Sequence, residues 1–392
     1  MFRYFLIAVV LLCTHPGVAG ERKTVCVNMI IKNESQIIRR CLATVRPLID
    51  YWVIVDTGST DDTIAIVKDF MQDIPGELHE RPWVDFAHNR NQALQLAKGK
   101  ADYVLIIDAD EVFALAEGFT LPPLDKDFYY ITTSFGGTRY PRVQLVNNHL
   151  DWKWIGVLHE GLYCPQAQTA ATLEGIKNVV SCDGARSKDP KKFLKDAQVL
   201  EAAMLKEPHN QRYQFYLAQS YRDAGERELA LKNYEKRIAM GGWDEEIYWS
   251  MLQIGLLQDA LKMPLEKVAE SFKKAHAYRP SRTEPIYYLA NLYRRAGNYA
   301  EGYRVSREGL FMPPAVNDIL FVEKWVDDYG LMLEFSICAY WIDKFTEAQL
   351  ASQYLLAKSD LPDNVRECLD RNMYWVNLKL GEEKTLLASS KK

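Results

Sequence analysis

The sequence predicts an α/β domain over residues 21–190 followed by an all-α repeat domain over residues 191–392, and three observations carry that prediction. Short apolar runs that stop at polar or acidic residues alternate with helix-patterned segments as far as Asp108. Long helical stretches with short breaks take over after the pattern changes near residues 185 to 195. Within them a segment recurs: Leu217-Ala-Gln-Ser-Tyr-Arg-Asp-Ala-Gly225 is echoed by Leu289-Ala-Asn-Leu-Tyr-Arg-Arg-Ala-Gly297. Alternating strands and helices imply an α/β sheet, and recurrence at a fixed spacing implies stacked repeats. At 392 residues, 48% of them hydrophobic and 26% charged, the chain has material for two such cores.

Taken in order, residues 1–20 combine an early Arg3, an apolar stretch from Tyr4 to Cys13 and the small residues Val18-Ala19-Gly20. That order reads as a signal peptide or an uncleaved membrane anchor, directing the chain to the secretory pathway or a membrane; an anchor would also allow a catalytic domain facing the cytosol. The run from Thr24 to Ile31 reads as a strand, and the segment through Val45 as a helix with Ile37, Ile38, Cys41, Leu42 and Val45 on its apolar side. Residues 51–56, YWVIVD, form a second strand, followed by a turn in which Ser59 or Thr60 caps a helix carrying Ile64, Ile66, Val67 and Phe70. A third strand near Leu78, a helix from Phe86 to Ala97 and a strand ending at Asp108 complete the alternation.

Further on, Arg212 to Ile238, Glu246 to Tyr278 and Glu284 to Leu310 read as helical stretches, with Leu252-Gln-Ile-Gly255 roughly midway between the two echoed segments. A period of about 36 residues indicates helical hairpins resembling tetratricopeptide repeats, which offer a concave surface or a homodimer contact. Beyond Pro313 and Pro314, runs from Glu323 to Phe345 and Glu347 to Leu355 read as capping helices.

Composition excludes some classes. A net charge of -4 gives no broad basic field, so no nucleic-acid partner is expected. The cysteines are widely spaced and suit neither a zinc knuckle nor a disulfide-stapled domain; Cys164 and Cys182 are the pair a disulfide would join. Asn33-Glu34-Ser35 matches an N-glycosylation acceptor. No Walker A segment or Gly-rich dinucleotide fingerprint follows the first strand.

Carboxylates mark the site. Binding sites in α/β sheets lie beyond the carboxyl ends of strands, which is where Asp56 follows WVIV and where Asp108, Asp110 and Glu111 follow VLII. Acidic groups gathered behind an apolar strand are either a solvated loop or a divalent-cation site.

Four segments in order, Asn28-Met-Ile-Ile-Lys-Asn-Glu34, Val55-Asp-Thr-Gly-Ser-Thr-Asp-Asp-Thr63, Phe86-Ala-His-Asn-Arg-Asn-Gln-Ala-Leu94 and Ile107-Asp-Ala-Asp-Glu111, together resemble the GT-A-fold glycosyltransferase family 2 pattern. Trp154-Ile-Gly-Val-Leu-His-Glu160 is similar to the G-x-x-H-E element of one branch of that family. The resemblance covers about residues 24 to 165, and its coupling to repeats resembles certain bacterial protein or peptide glycosyltransferases. It implies metal-dependent transfer of a sugar from a nucleotide-sugar, expected to be a UDP-sugar, to a hydroxyl or other nucleophile of an acceptor, with inversion. A protein or peptide is the acceptor that the repeats favour.

On that resemblance Asp56 lies beside the base or ribose. Asp110 is the direct ligand of Mn2+ or Mg2+, and Asp108 contacts the ribose or a metal-bound water. Arg90 takes the donor diphosphate or the nucleotide edge, or else pairs with Asp85. Asn33, Glu34 and Asn91 shape the same pocket. Glu160, or alternatively Glu111, is the general base, and His159 completes the metal shell, contacts phosphate or holds Glu160. Arg142, preceded by Tyr140, borders the donor sugar or acceptor, or serves the sheet. A nucleotidyltransferase, which would release pyrophosphate, and a noncatalytic repeat scaffold, which would tolerate loss of Asp110, are the alternatives.

Overall fold

The computed structural model describes residues 22–136, 138–313 and 317–389. The leader or anchor expected over residues 1–20 lies outside them. Among the described residues no helix is long and apolar enough to cross a membrane.

The chain begins β1 (Val25–Ile31), α1 (Ile38–Val45), β2 (Tyr51–Asp56), α2 (Thr63–Phe70), β3 (Gly76–Glu80), α3 (Phe86–Ala97) and β4 (Tyr103–Ile106). The run VCVNMII is nearly all buried because helices cover both faces of the strand, the reason parallel strands read as continuous apolar runs. Val27, Met29 and Ile31 pack with Leu42 and Val67 on one side, while Cys26, Val53 and Val104 pack with Leu94 and Ala97 on the other. β4 stops at Ile106, short of Asp108, which leaves the acidic turn free of the ladder. Ser59 and Thr60 do not cap α2, which starts only at Thr63. Ser59 Oγ instead accepts from Asn33 N (2.9 Å), and Thr60 N donates to Asn33 Oδ1 (2.7 Å), joining the turns after β2 and β1.

β5 (Glu111–Leu115), β6 (Phe128–Phe135), β7 (Thr138–Asn147), β8 (Lys153–Ile155), β9 (Gly161–Tyr163) and β10 (Ala170–Val180) follow. The main sheet has the order β3-β2-β1-β4-β7-β6-β10-β5, parallel from β3 to β4 and mixed beyond, while β8 and β9 form a separate antiparallel pair. From β1 the chain goes first to β2 and β3 on one side and then to β4 on the other. The carboxyl ends of β1 and β4 therefore flank a topological switch point, where open α/β sheets bind ligands.

The helical region runs α4 (Lys192–Met204), α5 (Gln211–Asp223), α6 (Arg227–Ala239), α7 (Asp244–Ala260), α8 (Leu265–Tyr278), α9 (Glu284–Arg295), α10 (Tyr299–Leu310), α11 (Leu331–Trp341), α12 (Phe345–Leu356) and α13 (Asp363–Ser389). Consecutive helices pack on one another as hairpins. The echoed segments end in the same device. Gly225 and Gly297 adopt φ of 82° and 74°, and the next residues, Glu226 and Asn298, donate back to the carbonyls of Tyr221 and Tyr293 at 2.9 Å each. That is a Schellman cap, and glycine takes its left-handed position at no steric cost.

The capping stretch expected from Glu323 is helical only from Val326, where a π-helical turn (Val326–Gly330) leads into α11. Before it, residues 318–323 form a strap across α5, α7 and α9. Glu245 accepts from the backbone N–H groups of Ile319 (2.8 Å) and Leu320 (2.7 Å), and Arg282 donates to the carbonyls of Leu320 and Phe321. Phe321 lies against Trp249 (centroids 5.0 Å apart) and stacks on Phe215. Cys164 and Cys182 are both free: the Cys164 thiol is buried and donates to Gln166 Oε1 (3.1 Å), whereas Cys182 is exposed.

Candidate functional site

A cleft of about 960 Å³ opens at the switch point. Its floor is the turn after β1 (Lys32, Asn33, Glu34), Thr57 after β2 and the Asp108-Ala109-Asp110 turn after β4. Arg90, Arg142, His159 and Glu160 also line it, while the linker and helical region supply Arg186, Lys192, Lys195, Arg212 and Tyr216. Asn33, His159 and Cys182, all in or beside the cleft, have φ of 58°, 50° and 54°. Such backbone is costly for a non-glycine residue other than Asn and gathers at functional sites.

Two arginines organise the carboxylates. Arg90, on α3, donates to Asp108 Oδ1 (2.7 Å) and to Glu160 Oε1 (2.5 Å) and lies over the Trp154 ring. Arg142, on β7, donates to Asp108 Oδ2 (3.2 Å) and to Glu111. Burial raises the Asp108 carboxyl, but the charges of Arg90 and Arg142 outweigh it and bring it down to about 2. Asp85 is not the partner of Arg90; it caps α3 through the His88 N–H (2.7 Å).

Several sequence-predicted residues take other positions. Glu111 does not line the cleft; it is 2% exposed, accepts from Asp108 N (3.2 Å) and Arg142, and so holds the acidic turn instead of facing an acceptor. Asn91 also lies outside the cleft lining, clamping Trp154 through its backbone N–H (2.8 Å) and carbonyl (2.9 Å). Asp56 is buried and is not among the cleft-lining residues: Oδ2 accepts from Gly58 N and Ser59 N at 2.9 Å each, while Oδ1 has no hydrogen-bond partner among the described residues. A buried acceptor without a donor marks a place a ligand's N–H or O–H can satisfy.

The family-implied cation must be weighed against these donors. Among the described residues no group of three or more His, Cys, Asp or Glu side chains is arranged to hold a metal. Both Asp108 oxygens accept from arginines, Oδ1 from Arg90 and Oδ2 from Arg142. His159 stacks on Tyr216 (4.0 Å between centroids), and its imidazole is held neutral by the surrounding protein and by Arg212, Arg186 and Lys192. Cations on that side oppose a metal ion beside it. Asp110 differs, having no ion-pair partner among the described residues; its carboxyl is pushed up by burial and then by Asp108. A Cβ on Gly184 would lie 3.3 Å from Asp110 Oδ2 and 3.4 Å from Glu34 Oε1, so both carboxylates face that glycine. Burial first, with Asp110 and Asp61 adding to it against the Ala185 N–H and Lys188, pushes Glu34 up to about 7. These donors do not make an all-protein cage. They do fit Mg2+ or Mn2+ held by one or two carboxylates and completed by ligand phosphates.

Gly156 lets the G-x-x-H-E segment turn back into the cleft: its φ is +115°, and a Cβ there would lie 3.4 Å from Glu160 Cα. The lining residues that sequence reasoning did not single out are Trp83, Phe86 and Trp154 together with Arg186, Lys192, Lys195, Arg212 and Tyr216, and the Arg186 guanidinium lies 4.8 Å from the Phe86 ring centroid. The basic run Lys191-Lys192 with Lys195 was the available signal, sitting where the pattern changes character.

Residues 26–116 match the family Glycosyl transferase family 2. The chain is similar to a TPR repeat-containing protein of Synechococcus elongatus, 37% identical over 25% of this chain and 23% of that protein. It is also similar to the SPbeta prophage-derived glycosyltransferase SunS of Bacillus subtilis, 32% identical over 25% of this chain and 23% of that one. An uncharacterized glycosyltransferase of Rickettsia prowazekii is 31% identical over 31% of this chain and 38% of its own length. The chain thus spans well under half the length of these relatives. Among solved structures, a tetratricopeptide repeat protein from Parabacteroides merdae aligns with a TM-score of 0.36 and 18% identity over 50% of this chain and 70% of that one. The α/β domain thus carries a glycosyltransferase family 2 match over residues 26–116, and a region of stacked helical hairpins follows it.

Proposed function

We propose that this chain transfers a sugar from a nucleoside-diphosphate sugar to a hydroxyl or similar nucleophile of an acceptor, with inversion at the anomeric carbon. The observation that carries the reading is Asp110: of the two aspartates in the turn after β4 it alone lacks an ion-pair partner among the described residues, and it lines a cleft with Glu160. Asp110, with Glu34 beside it, would hold Mg2+ or Mn2+, which when bound neutralises charge on the departing diphosphate. The unpartnered Asp56 Oδ1 accepts from the base or ribose. Arg90 and Arg142 keep Asp108 ionised and fix the turn.

Glu160, oriented by Arg90, takes the acceptor proton as the acceptor oxygen attacks the anomeric carbon. The bond from that carbon to the diphosphate oxygen breaks, and its electron pair leaves with the nucleoside diphosphate. A single displacement of this kind inverts the centre. The relatives that carry the glycosyltransferase name support the sugar-donor reading. A polypeptide acceptor is favoured by the fused helical hairpins, which commonly present surfaces to protein partners.

The test is release of free nucleoside diphosphate from UDP- and GDP-sugars with Mn2+ or Mg2+. Metal-dependent release from one donor is expected, falling at least about a hundredfold in Asp110→Asn with unchanged circular dichroism. Equal release by wild type and folded variant would overturn the assignment of Asp110.

A further inference from the structure

The two walls of the cleft differ in charge. On the α/β side, Glu34, Asp108, Asp110 and Glu160 face Lys32, Arg90 and Arg142, and the two arginines are consumed by Asp108, Glu160 and Glu111. The opposite wall, from the linker and the first helices of the repeat region, brings Arg186, Lys192, Lys195 and Arg212 against Asp189. Arg186 is neutralised by Asp196 and Lys195 by Asp189. Lys192 and Arg212 have no carboxylate within ion-pair distance among the described residues. Arg212 donates only to the His159 carbonyl, through Nε (3.0 Å) and Nη2 (2.7 Å), and its guanidinium lies 4.9 Å from the Tyr216 centroid.

Lys192 lines the cleft together with Asp110, His159 and Glu160, and its ammonium lies 5.2 Å from the Phe193 ring centroid. Two cations and Asp110, none of them in a direct ion pair among the described residues, line one cleft and leave room for a ligand that bridges them. The two cations lie at positions 192 and 212, outside the family-matched residues 26–116, so the family pattern does not account for them.

We infer that the helical region contributes a phosphate-binding subsite to the cleft, formed by Lys192 and Arg212. This rests on the sugar-transfer reading and extends it: the repeats take part in holding the reacting groups as well as in meeting partners. The phosphate comes either from the donor, as the terminal phosphate of the leaving nucleoside diphosphate, or from a phosphate carried by the acceptor. Arg212 fixes the loop backbone at His159 with two donors and keeps its charge toward the cleft. Lys192 supplies a mobile point charge, suited to a group whose position changes as it departs.

The test is calorimetric titration of the full chain with UDP, UMP and inorganic phosphate in the presence of Mn2+, for wild type, Lys192→Gln, Lys192→Arg and the exposed neighbour Lys191→Gln. If the donor supplies the phosphate, Lys192→Gln weakens UDP about tenfold, as expected for one charge-assisted contact, and leaves UMP unchanged. Lys192→Arg restores most of the UDP affinity and Lys191→Gln changes nothing. If the acceptor supplies it, UDP affinity holds, and Lys192→Gln abolishes phosphate binding to the UDP-saturated protein. Equal weakening of UDP and UMP, or no change in either ligand or in phosphate binding, overturns the subsite. Should wild type bind no nucleotide, the donor reading fails separately, and the subsite stands or falls on whether Lys192→Gln loses affinity for inorganic pyrophosphate.

Discussion

Asp108, Arg90 and Arg142 form the rigid centre of the cleft, since each arginine ties Asp108 to a second carboxylate, Glu160 or Glu111. The geometry sets Asp110 apart from the other three acids: Asp108, Glu111 and Glu160 pair with arginines, and Asp110 has no ion-pair partner among the described residues. Removing Arg90 would strip Glu160 of its counter-charge, and removing Arg142 would strip Glu111, with Asp108 keeping one arginine in either case; an unpaired carboxylate is costly in a poorly solvated site. The Glu160→Gln exchange separates proton acceptance from positioning, because the amide oxygen still accepts from Arg90. As base, Glu160 loses about 10² to 10⁴ in kcat on this exchange while UDP affinity holds. Retention of kcat would show that Glu160 serves only to place Arg90.

Among elements, the strap at 318–323 shows best what a pattern reading misses. Glu323 opens a stretch that looks helical, yet Glu245, Arg282 and Glu284 capture the backbone around it and hold it out of a helix. Phe321→Ala removes the ring between Phe215 and Trp249, and a loss of about 2–3 kcal/mol in urea unfolding is expected for this half-buried aromatic. No loss would mean that the side-chain hydrogen bonds alone keep the strap in place. β1, β2 and α3 were legible because their apolar patterns are local. β10 was not, since Thr172, Glu174 and Lys177 alternate with buried residues on a strand whose partners β5 and β6 lie far away in sequence. Asp108 and Glu160 could be singled out as acids, but that Arg90 would join them depends on tertiary placement. Glu111 misled for the same reason, its carboxylate being turned toward Arg142 on a distant strand.

For the whole molecule, stability and pH are coupled through the helical region. Glu323 is pushed from an ordinary 4.5 up to about 7 by burial, with Glu284 adding to it against the Tyr288 hydroxyl and the charges of Arg282 and Arg222. A carboxyl raised on folding stabilises fully below its unfolded value, and that contribution is lost as pH rises through the folded one. Glu323→Gln should therefore gain on wild type between pH 5 and 8, reaching about 1–2 kcal/mol at the alkaline end after allowance for solvent access. A difference in melting temperature that stays flat over this range would exclude Glu323 as the titrating group. The strap also bears on the order in which the chain is made. Hairpin arrays ordinarily fold as a sum of neighbours, each unit settling on the one before it. Here Arg282 is 1% exposed and takes the carbonyls of Leu320 and Phe321, and Glu245 awaits the N–H groups of Ile319 and Leu320. A nascent chain emerging from the ribosome only as far as α9 would hold these charged groups without their later partners, so the hairpins from α5 to α9 should lock together only after residue 321 has been synthesised.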